Sequence, residues 1–502
     1  MFWVIARHHC RLLIRERVLG IGLALLVLAM GYGFVGGQVR IKQERTDERA
    51  FAQRAQLVIA RNRELAAAIE RRIASGAEQE QIPPPFGSRH PRYVGTWCRP
   101  PSILPPSPLS WLAVGQSDLY PTAYAGPEYD EVSQVANPVK LLNGHWDIAF
   151  TVVYLLPLFI LSLSFDLIAS DRETGILRLA LSQPVRLWTI LTAKAAAVGA
   201  IALGSVAILY ALGVAPGNMH SGDGMSARAV IAGIAILAYA AFWLALALAL
   251  NVFNRTATEN AFILAALWLC FVVLVPFAID QAATKLHPVP PHVEIMNIIR
   301  AAPETVKRLS GPQVIAEFLA NHPELPPADG LSDLGLLYLE GAARREALQN
   351  ISDVAQGRWE DSLARQESLA HRSSYASPAT VLTAALTELA GTSRARYLDF
   401  LLQKREYERT YEMFFLPRRL ALPNSIFRAA DYDLIPTMTY REETLKAVLR
   451  RALPFVYSLL LVTMFATCAA LFLAWRFTGH SAGRTRRRIT PTISPQGEAV
   501  LQ

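Results

Sequence analysis

The chain is short of charge for its size: only 18% of its 502 residues are charged, against 52% hydrophobic, and the mean hydropathy is +0.25. That balance excludes an ordinary soluble protein and marks an integral membrane protein with substantial soluble parts. No G-x-x-x-x-G-K-[ST] occurs, so nothing in the sequence can cradle nucleotide phosphates in the P-loop manner. H-E-x-x-H and C-x-x-C are absent as well, which removes the easily recognised zinc proteases and redox motifs; the one G-x-S-x-G, Gly479 to Gly483, directly follows the last apolar run rather than a strand.

Long apolar runs are what the chain has instead. Six can cross a hydrocarbon layer of about 30 Å as helices, at 18–36, 147–169, 187–214, 228–252, 257–279 and 452–476. Their interiors lack Asp, Glu, Lys and Arg, whereas ion-coupled carriers place an ionisable group at membrane depth; a secondary transporter is therefore disfavoured. No small-residue cleavage site follows the first run, so it reads as an uncleaved span. Arg7, Arg11, Arg15 and Arg17 precede span one, Arg172, Arg178 and Arg186 lie between spans two and three, Arg255 between four and five, and Arg476 and Arg484 to Arg488 beyond six. The opposite short loop, 215–227, has no Lys or Arg before Arg228. Both termini are thus expected in the cytoplasm, with 37–146 and 280–451 outside and 477–502 a cytoplasmic tail that anchors to anionic lipid rather than nucleic acid.

The sequence is organised around residues 170–186, between spans two and three. Asp171, Arg172, Glu173, Arg178 and Arg186 alternate with Ile176, Leu177, Leu179, Ala180 and Leu181, which predicts a short amphipathic helix at the membrane surface. Thr174-Gly175 loosens the corner before it, and Pro184 ends it. Arg172, Glu173, Gly175, Leu177, Pro184, Val185, Arg186 and, in the next span, Lys194 together resemble the cytoplasmic loop of the ABC-2 family of ATP-binding-cassette permeases. Any loop between two spans is charged and amphipathic, so the resemblance gains weight from the six spans around it.

The N-terminal residues 1–17 set Phe2, Trp3, Ile5, Leu12, Leu13 and Ile14 against Arg7, His8, Arg11 and Arg15, an interfacial helix of the kind that precedes span one in that family. His8-His9-Cys10 are adjacent and share no helix face, which argues against a metal site. Beyond span one, 42–75 is a long charged helix with an apolar stripe, predicted to continue the span. A proline-rich tract, 82–109, is expected to run extended. It carries Cys98, the one cysteine placed outside, which leaves a free thiol or a bond to another chain.

The second long segment reads as mainly helical, and the stripe of 332–373 is expected to pack on the helix after span one. His287, His292 and Glu294 read as polar residues of a turn rather than ligands, and Met296, Met413 and Met438 are too scattered for a thioether site. Ser377-Pro378-Ala379, Gly391-Thr392-Ser393, Arg396-Tyr397 with Phe400, and Asp431-Tyr432-Asp433 with Pro436 resemble an ABC-2 subgroup with large insertions after spans one and five and a C-terminal domain of unknown function.

What the resemblance implies is an all-α polytopic permease of the bacterial inner membrane, acting as half of a permease dimer above a separate ATPase subunit. That subunit, not this chain, would bind ATP, and this chain would hold no cofactor or metal. Residues 171–181 with Pro184 and Arg186 would form the coupling helix. Arg172 and Glu173 would make charged contacts to the ATPase, Ile176, Leu177 and Leu179 would fill its groove, and Lys194 and Arg186 would hold the loop to the lipid face. Export is a family expectation. Two other readings stay open: a transducer that moves its periplasmic domains against a partner protein, and a scaffold or sensor without an ATPase.

Overall fold

The computed structural model describes residues 1–77, 87–124, 146–215, 224–253 and 255–486, with the backbone alone for 477–486. The first part of the proline-rich tract, most of the 215–227 loop, much of the first long segment and the side chains of Arg484 to Arg488 lie outside that description.

Helix α1 (Phe2–Arg15) gives way at Glu16, in extended backbone, to α2 (Arg17–Ala74), one helix of 58 residues. At 1.5 Å per residue α2 is about 87 Å long, so well over half of it lies beyond a hydrocarbon layer. After it come α3 (Pro91–Trp97) and a small antiparallel pair, β1 (Ser102–Ile103) with β2 (Ala123–Tyr124). Then follow α4 (Ile148–Glu173), α5 (Ile176–Leu181), α6 (Leu187–Val214), α7 (Met225–Asn251) and α8 (Ala257–Leu286). The second long segment holds α9 (His292–Lys307), α10 (Gly311–Asn321), α11 (Asp333–Ser373), α12 (Pro378–Ala390), α13 (Arg394–Leu420) and a 3-10 turn at Ala429–Leu434. Helix α14 (Leu445–Arg486) is the last of the described elements. The six apolar runs read from the sequence are α2, α4, α6, α7, α8 and α14, and the protein is an all-α polytopic membrane protein.

Helix α7 is the centre of the bundle, packed against α14, α6, α12 and α4. Ala232, Ala235, Ala240 and Ala247 let those neighbours approach closely, while Ile236, Tyr239 and Trp243 fill the space between them. Two helices widen for one turn: α4 over Thr151–Leu155 and α8 over Cys270–Leu274. Each wide turn is followed two residues later by a proline, Pro157 or Pro276, which has no N–H to give. The carbonyls facing the missing amides take hydroxyl donors from neighbours: Val153 O from Tyr239 of α7 at 2.9 Å, and Phe271 O from Ser377 at the start of α12 at 2.5 Å.

The structure departs from the sequence reading in three places and, at Cys98, favours one of the two alternatives it left open. The proline-rich tract is not wholly extended: Pro91 sits in the first turn of α3, where its missing N–H costs nothing, and His90 caps that helix by accepting from Arg92 N. Cys98 is buried among Val94, Tyr411 and Phe427, so it is a free core thiol, its pKa pushed up to about 12 by burial, and cannot reach another chain. Helix α11 packs on α9, α10, α8 and α13, whereas the outer part of α2 seats Ala66 and Ile59 against the 3-10 turn and the Phe415–Phe427 cluster. Helix α12 is the largest departure. It lies within the bundle against α7, α14 and the wide turn of α8, with Leu382, Ala385, Leu386 and Leu389 fully buried. Its 13 residues are too few to span, so α11 and α12 form a hairpin that dips into the bundle and returns.

Candidate functional site

The sequence-predicted site is the corner between α4 and α6. The last helical turn of α4, Ala169–Glu173, is separated from α5 by Gly175 at φ +79°, a conformation that costs an L side chain about 1–2 kcal/mol. A Cβ there would meet nothing within 4 Å, so the requirement is of the backbone and not of space.

Three bonds fasten this corner to the other spans. Lys194 Nζ of α6 donates to Asp171 Oδ2 at 2.5 Å. Arg172 Nη1 donates to the Arg255 carbonyl at 3.3 Å, and the Ala257 N–H donates to Glu173 Oε1 at 2.9 Å, so both hold the short α7–α8 connection. The same connection is stiffened by a capping box in which Thr256 and Glu259 exchange bonds at the start of α8. Beneath the corner, two buried amides hold the place where α4 loosens: Asn251 donates to Ser164 O at 2.9 Å and Asn260 to Phe165 O at 3.2 Å. Sequence reasoning passed over both asparagines, although a polar amide at the end of an apolar run is a signal that some backbone there lacks a partner.

Helix α5 then presents two kinds of apolar residue. Leu177 is buried in the permease's own core, while Ile176 and Leu179 are 56% and 72% exposed. Leu181, Arg178, Pro184 and Arg186 are exposed beside them, and Thr174 Oγ1 turns back to Ser170 O at 2.9 Å. Several of these groups are engaged within the chain itself. Leu177 is spent on internal packing, Arg172 and one oxygen of Glu173 are spent on the α7–α8 connection, and Lys194 holds Asp171 rather than lipid. Ile176 and Leu179 alone, of the three apolar residues expected to fill a partner's groove, remain free to do so.

Helix α1 lies alongside α6, with Ala6 and Leu13 buried. Burial and then the Lys194 charge pull the His9 pKa down to about 4, the nearby Asp171 opposing, so this imidazole is neutral at pH 7. Among the described residues no three His, Cys, Asp or Glu side chains gather to hold a metal, and His292 packs its ring on Trp359.

At the opposite end, the long segments are tied to the spans by charged side chains, of which Arg228 and Arg396 are buried. Arg228 of α7 donates to Leu389 O at 2.7 Å, Arg396 of α13 pairs with Glu442, and Arg451 of α14 bridges Glu388 and Glu443. Helix α2 runs unbroken from its span into this region.

The corner is thus bonded to α6 and to the α7–α8 connection and carries an exposed apolar ridge. The family described as "ABC-2 family transporter protein" matches residues 3–478, nearly the whole chain, while no curated protein gives a significant match. The chain belongs to the ABC-2 transporter family, as a multi-pass membrane permease component that is not itself an ATPase.

Proposed function

We propose that the chain is the permease subunit of an exporter in the bacterial inner membrane, driven by a separate cytoplasmic ATPase and paired with a second permease subunit. In this reading α1, the α4–α6 corner and the C-terminal tail face the cytoplasm, and the long segments face the periplasm. The observation that carries it is the corner itself: Ile176 and Leu179 stand exposed on a helix whose root is bonded to α6 through Asp171–Lys194 and to α8 through Glu173. A partner that grips the ridge would move three spans together, and the wide turns of α4 and α8 are where those spans have the fewest intrahelical bonds to resist bending.

The test is purification in mild detergent from the native membrane, with wild type compared to Ile176→Asp plus Leu179→Asp. An ATPase that accompanies the wild type and is lost from a folded variant supports the reading. Absence of any ATPase from the wild type sinks it.

A second reading is favoured by the unbroken α2, which joins a span to the long segments in one 58-residue helix. On it, the protein moves those segments against a periplasmic partner and transports nothing. Reconstituted vesicles separate the two, because an exporter's ATP hydrolysis is stimulated by cargo and a transducer's by its partner.

A further inference from the structure

A groove of about 460 Å³ lies between α6 and α7, on the half of both helices nearer their connection. Ala207, Tyr210, Ala211 and Val214 line it from one side, Ala229 and Gly233 from the other. A Cβ on Gly233 would fall 2.9 Å from the Tyr210 ring, so the absence of a side chain there is what lets that ring lie along α7 as a wall. Val230 and Ile234 also line the groove and are exposed, which means that it opens sideways out of the bundle.

Water is a poor occupant of this space. The volume would take about fifteen molecules at roughly 30 Å³ each, and each needs two to four polar partners. The one polar side chain in the wall is Tyr210, whose hydroxyl already donates to Ala229 O at 2.7 Å. Both walls are membrane spans, so the medium at the opening is hydrocarbon. We propose that the groove binds one acyl chain of a membrane phospholipid, laid along α6 and α7 against the Tyr210 ring. This does not depend on the ATPase or on export.

The experiment uses the full chain in nanodiscs of phosphatidylcholine carrying a diazirine near the end of one acyl chain. After irradiation, adducts are mapped by peptide and compared with those at Phe262 of α8 and Phe465 of α14, which face outward and report ordinary lipid contact. Labelling of 206–215 and 229–237 above that reference is expected, with loss of the excess in Ala211→Trp and in the milder Ala207→Leu. Unchanged adducts at Phe262 and Phe465 show that the variants are folded. Labelling no higher than the reference, an excess that survives both fillings, or a disulfide between copies formed by Ala211→Cys in place of the labelling overturns the proposal.

Discussion

The Ser377 hydroxyl donates to the Phe271 carbonyl at 2.5 Å, and Phe271 lies five residues before Pro276, where the wide turn of α8 would otherwise deliver an N–H. One bond thus repairs the gap left by the proline and fixes the root of α12 midway along a span. Ser377→Ala is expected to cost about 0.5–2 kcal/mol, by leaving a buried carbonyl unpaired. Pro276→Ala restores an amide to the turn, so the cost of losing Ser377 should shrink in that background. Unfolding titrations of the two single variants and the double variant measure the coupling. Strictly additive effects would show that the two residues do not serve the same carbonyl.

Leu177 and Leu179 stand two residues apart on α5 and should fail in different ways. Leu177→Asp puts a charge into the core and is expected to destabilise the permease itself, visible as lower yield and a lower Tm. Leu179→Asp should leave Tm within a degree or two of wild type while abolishing association with the ATPase, because the residue is 72% exposed and touches little of its own chain. Equal loss of Tm in both variants would place Leu179 in the permease core.

How much of this could be read beforehand follows the physics of each signal. The six spans were legible because each is an apolar run of full membrane length, and α5 because its charges alternate with leucines ahead of Pro184. Helix α12 was legible as a helix, from Ser377-Pro378 at its start and Gly391 at its end, but its place inside the bundle was not, since a window sized for a span averages its 13 residues with the charged flanks of α11 and α13. The roles of Asp171, Arg172 and Glu173 were half legible. Their charge placed them at a surface, but whether a charge faces a partner or an internal carbonyl depends on where residues 255–257 and 194 fold back, which no local pattern encodes. The bonds of Tyr239, Asn251 and Ser377 were missed for the same reason: each serves a carbonyl more than 80 residues away.

Asn251 and Asn260 make a separable prediction about coupling. Asn251→Leu removes the donor to Ser164 O and should cost about 1–3 kcal/mol if that carbonyl stays buried and unpaired. The loosened root of α4 would then yield under the partner's push instead of transmitting it. The expected signature is an ATPase that still binds and still hydrolyses ATP but no longer responds to cargo. Loss of ATPase binding instead would show that the amide holds the docking surface itself.

The long segment should carry a pH-dependent joint at His322. Its Nδ1 lies 3.0 Å from Glu324 and its Nε2 2.7 Å from Glu346 of α11, with the Phe318 ring packed alongside. Only the doubly protonated imidazolium can donate to both carboxylates. Burial alone would lower the pKa, but Glu324 and Glu346 outweigh it and the net shift is upward. A folded pKa raised above the unfolded value, about 6.5, contributes stability in full below that pH and loses it as pH rises through the folded value. Hydrogen exchange of α10 and the first half of α11 should therefore quicken as pH rises above about 6.5 through the folded value, beyond the intrinsic rise in exchange rate. His322→Gln cannot titrate, so its local stability should be flat across that window, and Glu346→Gln should move the transition to lower pH. A wild-type profile as flat as that of His322→Gln would mean that the two carboxylates do not hold the proton.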